Sequence, residues 1–540
     1  MYYSQRKENK KYLTLRTTQD SRYHAVRNNS LPTRGKLPPT YPSLIPFIGS
    51  VAPFLWNSTA FFRRALFMGF DVYVYQDRDT IRRISRQSMI SSPSTVYTYT
   101  LSKFFGMPAA SLGTYRADDS GPQPKPRPGS NVPPQDRIYH HLHSGFSKAW
   151  SGAGLVPTTT RFFHAFRSNI NEWNLSESWT EVDNFSQSFQ TAVSSSLIQA
   201  VFGPTLLEIH PDFIENLGKF DEAIPWLAKG IPSFIIPGAH VRDTLRGQFK
   251  SWYVYARQAF DGSCIDADGD GDPFWGSEST RHRHRVLSQI GHDDDSLSAA
   301  DLCLAWAITA NAATCALMAI LHIAKDPELL RRVREEIQGL VGDQAVDFPD
   351  QMGILKAPLL SSIYAETLRL YDKAFFLFGS QHSDIELGAW RLPKGGMGLL
   401  NSDVSHMDES FWNTKDGLHP LDTFWADRFL VDPADSPSGP IRPEIREQEL
   451  GASTGEKEKP GKPVFSTKGC EGTWIPYGAG PGICPGRFVA KNVVLLTSAL
   501  IINELDVELL TDRLEPNSVR YGIGLLKPKH SVPVRIRRRM

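Results

Sequence analysis

The segment Trp474-Ile475-Pro476-Tyr477-Gly478-Ala479-Gly480-Pro481-Gly482-Ile483-Cys484-Pro485-Gly486-Arg487 sets one cysteine among glycines and prolines, and an apolar run from Phe488 to Ile502 follows it. Glycine and proline in this density impose a tight loop. Backbone N–H groups in such a loop can point at the sulfur, and the N-terminus of the following helix lies beside it. Both features stabilise a thiolate, the form in which cysteine ligates a metal. The same stretch imitates a nucleotide loop through Gly478-x-Gly480-x-Gly482. A dinucleotide fingerprint, however, follows a strand and has no proline at the helix entry, whereas Pro481 and Pro485 stand here.

A second group of such residues lies upstream. Glu366 and Arg369 are three positions apart, so on a helix they share a face and can pair. Alone, that spacing most often marks a surface ion pair. Phe424-Trp425-Ala426-Asp427-Arg428-Phe429 comes next, before the cysteine loop. Asp266-Ala267-Asp268-Gly269-Asp270-Gly271 imitates the opening of an EF-hand loop. The position of its bidentate Glu holds Ser277, so a solvated loop is expected rather than a calcium site. The five cysteines, Cys264, Cys303, Cys315, Cys470 and Cys484, are widely spaced, odd in number and without a CxxC pair. This argues against a disulfide framework or structural zinc and for a reducing compartment.

These residues need a scaffold, and a chain of 540 residues can bury a large core. Leu302 to Ala324 carries no charged residue. Its alanine content and its interruption by Thr309, Asn311, Thr314 and His322 favour a helix buried inside a large protein over a membrane span. Ser298 and Asp301 form an S-x-x-D capping pattern at its start, and Pro327 stops it. Alternation in Asp71-Val72-Tyr73-Val74-Tyr75 predicts a short strand, and the stretches 121–134 and 432–463 predict loops. Residues 1–36 are polar and basic and read as a disordered arm, with attraction to an anionic membrane surface or organelle targeting as the competing roles. Prolines from Leu37 onward mark entry into the folded body, and no apolar leader or transmembrane anchor is evident. A net charge of +1 gives no global reason to expect a nucleic-acid partner.

The cysteine loop resembles the haem-binding loop of cytochromes P450, F-x-x-G-x-R-x-C-x-G, with Tyr477, Gly480, Cys484 and Gly486 at its positions. Tyr477 replaces the Phe, and Gly482 replaces the Arg that helps hold a haem propionate in the family. Glu366 and Arg369 match the family's E-x-x-R helix, and the segment ending in Arg428-Phe429 resembles its P-x-R-F. The resemblance implies that Arg428 joins Glu366 and Arg369 in a buried structural network. Trp306-Ala307-Ile308-Thr309-Ala310-Asn311 is similar to W-A-x-x-A-N in the sterol 7-alpha-hydroxylase and prostacyclin synthase branch. Ala310 and Asn311 stand where most monooxygenases of the superfamily carry an acid and a Thr that deliver protons during oxygen activation. An amide hydrogen-bonds but is no acid, so Asn311 is the candidate catalytic residue through an ordered water, with helix packing as its plain alternative. Tyr521 to His530 resembles the loop and last strands that reach into the family's substrate pocket. Around Arg137, His140, His141 and His143 no convincing W-x-x-x-R for the propionates is found, and the three histidines read as surface residues of a polar helix.

The resemblance implies a mainly α chain with the cytochrome P450 fold and a small β-rich region near the N-terminal side, residues 37–540 forming one catalytic domain. It implies haem b (iron) held by Cys484. The implied reaction inserts one oxygen atom from O2 into an apolar small molecule, in secondary-metabolite biosynthesis, with electrons from NADPH-cytochrome P450 reductase as a separate partner. Two alternatives stand beside it: a haem-thiolate isomerase or dehydratase acting on a peroxide without a reductase, and a non-catalytic haem-binding protein. The expected location is intracellular, on the cytosolic face of the endoplasmic reticulum, with peripheral membrane contact.

Overall fold

The computed structural model describes residues 72–539 apart from 91–93, 230, 343–350, 436 and 451–460. The basic arm and the proline-rich entry therefore lie outside the described residues. The helices that frame the site are α1 (Arg78–Ser85), α2 (Ile138–Ala149), α3 (Leu155–Asn171), α4 (Phe185–Phe202), α5 (Phe213–Ala228), α6 (Val241–Ala259), α7 (Glu278–Gln289), α8 (Asp294–Lys325), α9 (Pro358–Tyr371) and α10 (Arg487–Glu504).

The charge-free stretch forms most of α8, whose 32 residues give a rod about 48 Å long. Every residue from Ala312 to Leu321 is buried, because α8 runs through the core against α4, α6, α9 and α10. Alanines on several faces let these neighbours approach closely, which is why the helix has no polar stripe. Among the described residues α8 is long and apolar enough to cross a membrane, but most of its apolar window is buried inside the protein.

The S-x-x-D reading of its start is corrected. The helix begins about one turn earlier, with Asp293 as the cap accepting from the Ser296 N–H at 2.9 Å. Asp301 instead points into the core, where Tyr253 O–H (2.6 Å), His284 Nε2 (2.7 Å) and Arg283 consume its carboxylate. Tertiary partners, invisible to a local pattern, decide its role. At the other end Asp326 caps the following helix and Pro327 opens it.

The main sheet comprises β1 (Val72–Val74), β2 (Asp372–Gly379), β3 (Met397–Asn401) and β4 (Ile523–Leu525), in the order β1-β3-β2-β4. β1 runs parallel to β3 (Val72 opposite Met397); β3 and β4 are antiparallel to β2. The β-rich region is thus not confined to the N-terminal side. A strand as short as β1 needs partners, and it finds them in the C-terminal half. A second sheet joins Thr180–Val182, Leu505–Leu509 and Val534–Arg538.

Two further readings meet the structure here. The stretch 432–463 is not all loop: Pro443–Leu450 is helical, and its Glu449 is gripped by Arg78 and Arg82 of α1. In the EF-hand imitation, Asp270 pairs with Arg161 at 2.5 Å and Asp272 pairs with Arg281, while Ser277 caps α7. Arginines take the carboxylates, and no group of potential metal ligands occurs among the described residues.

Candidate functional site

The cysteine loop turns tightly at two glycines. Gly478 and Gly480 have φ of 79° and 77°, and a Cβ at Gly480 would sit 3.1 Å from the Ile84 carbonyl of α1. The turn closes through Cys484 N–H to the Tyr477 carbonyl (3.1 Å), and Arg487 Nη1 donates to the Cys484 carbonyl (3.0 Å). Of the five cysteines, Cys484 is the exposed one. Burial of its surroundings pushes its thiol up, while the Gly486 N–H and the Arg487 charge oppose that shift and favour the thiolate. Tyr477 O–H shares a 2.6 Å hydrogen bond with Tyr364 O–H of α9, so the Phe-to-Tyr departure is answered by a second hydroxyl. Trp150 packs against the loop: a Cβ on Gly486 would meet its ring at 4.0 Å. The buried Trp150 Nε1–H has no partner among the described residues.

The structure brings Glu366, Arg369 and Arg428 together. In α9 every residue from Leu359 to Arg369 is buried, so this i, i+3 pair is no surface bridge. Arg369 donates to both Glu366 oxygens at 2.7 and 2.8 Å, and Arg428 Nε donates to them at 3.1 Å. All three side chains are 0% exposed. Burial alone pushes the Glu366 carboxyl up, but Arg369 and Arg428 outweigh it and hold the group below its ordinary value. The remaining donors are also satisfied, by the carbonyls of His406 and Leu421 from Arg369 and of Asn413 from Arg428.

His406 escaped the sequence reading. Its carbonyl accepts from Arg369 while its Nε2 accepts from the Ile475 N–H (3.1 Å), joining the buried network to the cysteine loop. Burial, reinforced by Lys373 and Arg369, holds the imidazole well below its ordinary value, so it stays neutral and keeps that acceptor. No local signal marked it, since both partners come from other elements.

Across the core, Asn311 is half-buried on α8. Its Oδ1 accepts from the Leu525 N–H of β4 at 3.2 Å. Gly524 matches it: a Cβ there would lie 2.4 Å from the same oxygen. Asn311 thus holds the C-terminal strand to the central helix, while its Nδ2 has no protein partner among the described residues. The neighbouring hydroxyls are spent on helix carbonyls, Thr309 on Ala305 (2.8 Å) and Thr314 on Ala310 (2.7 Å). Each hydroxyl thus directs its own proton to a helix carbonyl.

The histidines of α2 are less surface-like than expected, and Arg137 immediately precedes that helix. Arg137 is buried and bonds Ser120 and the Gln123 and Pro124 carbonyls, organising the preceding loop. His140 and His141 bond the carbonyls of Pro122 and Pro134. His143 is lowered by burial, with His140 and Arg487 adding to the shift, which places it near the cysteine loop.

Residues 288–534 match a family model described as Cytochrome P450. The chain is 30% identical over 528 residues to the cytochrome P450 monooxygenase efuG of Hormonema carpetanum, spanning 93% of this chain and 90% of that one. It is also 30% identical to the cytochrome P450 monooxygenase fsoE of Humicola fuscoatra, over 96% of this chain and 91% of that one. A human 7-alpha-hydroxycholest-4-en-3-one 12-alpha-hydroxylase is 30% identical over 43% of each chain. The fold matches the crystal structure of a cytochrome P450 with a TM-score of 0.59 at 17% identity, covering 94% of this chain and all of the other.

Proposed function

The chain belongs to the cytochrome P450 family as a haem-dependent monooxygenase, and from that premise we propose that Cys484 is the thiolate ligand of its haem iron. The observation that carries this reading is the loop itself: the one exposed cysteine, with the Gly486 N–H directed at its sulfur, at the entrance of α10. The unpartnered Trp150 N–H beside Gly486 is a donor that a bound group with acceptor atoms would satisfy. Haem bound there supplies the oxygen-activating chemistry, and thiolate ligation favours O–O cleavage.

The protein's own residues divide the remaining work. Glu366, Arg369 and Arg428 hold the core beneath the loop, with His406 as the link. Tyr477 and Gly480 fix the turn. Asn311 offers its unspent amide N–H2 to a water or substrate oxygen while its carbonyl keeps β4 in place. Since Thr309 and Thr314 are committed and Asn311 has no proton to give, protons arrive through water. Residues 37–540 act as one catalytic domain.

The substrate is an apolar small molecule of secondary metabolism, and electrons come from NADPH through NADPH-cytochrome P450 reductase. Peripheral contact with the endoplasmic reticulum membrane accords with Phe234 and Ile235, which are 88% and 61% exposed on the loop after α5. The deciding experiment measures O2 and NADPH consumption with that reductase across terpenoid, alkaloid and polyketide substrates. Substrate-dependent consumption with an oxygenated product is expected. Product from a peroxide substrate without NADPH would overturn the proposal in favour of an isomerase.

A further inference from the structure

We propose that Arg520 and Lys527, anchored by Asp221, form a recognition site for a carboxylate on an otherwise apolar substrate; this rests on the monooxygenase reading above and names its substrate class. Asp221 projects from α5 into a buried junction with α8 and the C-terminal segment. Each of its oxygens already receives two donors. Trp306 Nε1 (2.7 Å) and Arg520 Nη1 (3.0 Å) reach Oδ1, and Arg520 Nη1 (3.0 Å) and Lys527 Nζ (2.5 Å) reach Oδ2. Burial pushes the Asp221 carboxyl up, yet Lys527 and Arg520 outweigh it and keep it ionised. The acceptor capacity of this carboxylate is exhausted.

The donors are not. Arg520 is 4% exposed, its Nε reaches the Leu525 carbonyl at 3.4 Å, and its Nη2 is buried with no partner among the described residues. Lys527 has Asp221 as its one partner among the described residues, which leaves ammonium donors unspent. A buried guanidinium N–H without an acceptor is costly. An acceptor supplied by a ligand would remove that cost.

The cluster's position makes the ligand a substrate. Leu525 gives its N–H to Asn311 and its carbonyl to Arg520, so one residue joins the cation cluster to the candidate catalytic amide. On α8, Trp306 precedes Asn311 by about 7.5 Å along the helix axis. Beside Asp221, the Phe220 ring packs on Phe105 at 6.0 Å, and Phe105 packs on Trp306 at 5.9 Å. An apolar body against these rings, with its carboxylate at Arg520 and Lys527, suits the chemistry of both parts. Arg127, Arg161, Arg283 and Arg391 also hold buried N–H groups without a hydrogen-bond partner among the described residues, but Arg161, Arg283 and Arg391 bond Asp270, Asp301 and Asp384, away from the Leu525 backbone that Asn311 holds.

The test titrates reconstituted holoenzyme, by the change in haem absorbance on binding, with two acid/ester pairs: palmitic acid and methyl palmitate, and a cholenoic acid and its methyl ester. Only protein with the carbon monoxide spectrum of a thiolate-ligated haem is used, and absence of that spectrum would be a failure of the Cys484 reading, distinct from a failure here. At least one acid should bind tighter than its ester. Lys527→Gln and Arg520→Gln should each weaken acid binding about 10-fold or more, the scale of one charge-assisted hydrogen bond, with a smaller effect on the ester. Asp221→Asn, which frees both cations, should keep or strengthen the preference for acid. Equal affinity for acid and ester in both pairs, no binding by either acid, or equal losses for acid and ester in the variants overturns the proposal. Should Arg520→Gln fail to fold, Lys527→Gln decides alone, since Lys527 is partly exposed.

Discussion

Around Glu366 and around Asp221 the protein gathers the same formal inventory, a buried carboxylate and two cations, yet the two clusters differ: Arg369 and Arg428 are fully buried, whereas Lys527 is partly exposed. Near the cysteine loop, Arg369 and Arg428 turn their remaining N–H groups to backbone carbonyls and leave none unpaired. At the C-terminal segment, Arg520 ends with a buried amino group that has no acceptor among the described residues. Net charge does not separate a structural cluster from a recognising one. Between these two clusters the difference is the supply of acceptors: the first is saturated, and the second has a deficit that a ligand could fill.

The sharpest way to break this contrast is to remove the sulfur that the saturated side supports. Cys484→Ala or Cys484→Ser should abolish the carbon monoxide spectrum of a thiolate-ligated haem completely, whereas Cys264, Cys303, Cys315 and Cys470 should be replaceable. A retained spectrum would end the assignment of the ligand. Next in size, Glu366→Ala or Arg369→Ala strands a fully buried charge at a cost of about 3 to 5 kcal/mol. Both variants should be poorly folded and haem-deficient in denaturation and haem-content measurements. A well-folded, haem-replete variant that fails only in turnover would move the pair out of its structural role.

On the other side, Asn311→Ala removes both the anchor of Leu525 and the free amide. Product per NADPH should fall about 10-fold, with peroxide released instead, while haem content holds. Asn311→Asp keeps an acceptor for the Leu525 N–H, and Asn311→Thr can hold a water, so the pair separates anchoring from water placement. Unchanged coupling in Asn311→Ala would assign the residue to packing.

The smallest effect lies where the two regions meet. Asp372 stands opposite Leu525 in the sheet, at the end of α9. Burial raises its carboxyl to about 7, with Ser402 and Lys373 only partly offsetting it. A folded-state value above the unfolded one means that the native protein binds the extra proton, so this group's contribution to stability is full at low pH and is lost as pH rises toward about 7. Asp372→Asn should flatten that part of the stability profile in thermal melts at successive pH values. An unchanged slope would show that another group sets it.

Much of the cysteine side was legible in the chain because its determinants are local. Glycines and prolines within a few positions of Cys484 dictate the turn, Glu366 and Arg369 sit one helical turn apart, and the charge-free run announces a buried helix through composition alone. What only the tertiary structure decided is pairing at long range. Asn311 meets Leu525 across 214 positions, Asp221 meets Arg520 across 299, and His406 meets Ile475 across 69. Asp301, which locally resembles a cap, becomes a buried acceptor for partners on two other helices. Local periodicity states which face a side chain occupies. Which donor or acceptor it then meets, and whether any donor is left over, depends on how separate elements pack, because hydrogen-bond saturation is a property of the assembled interior.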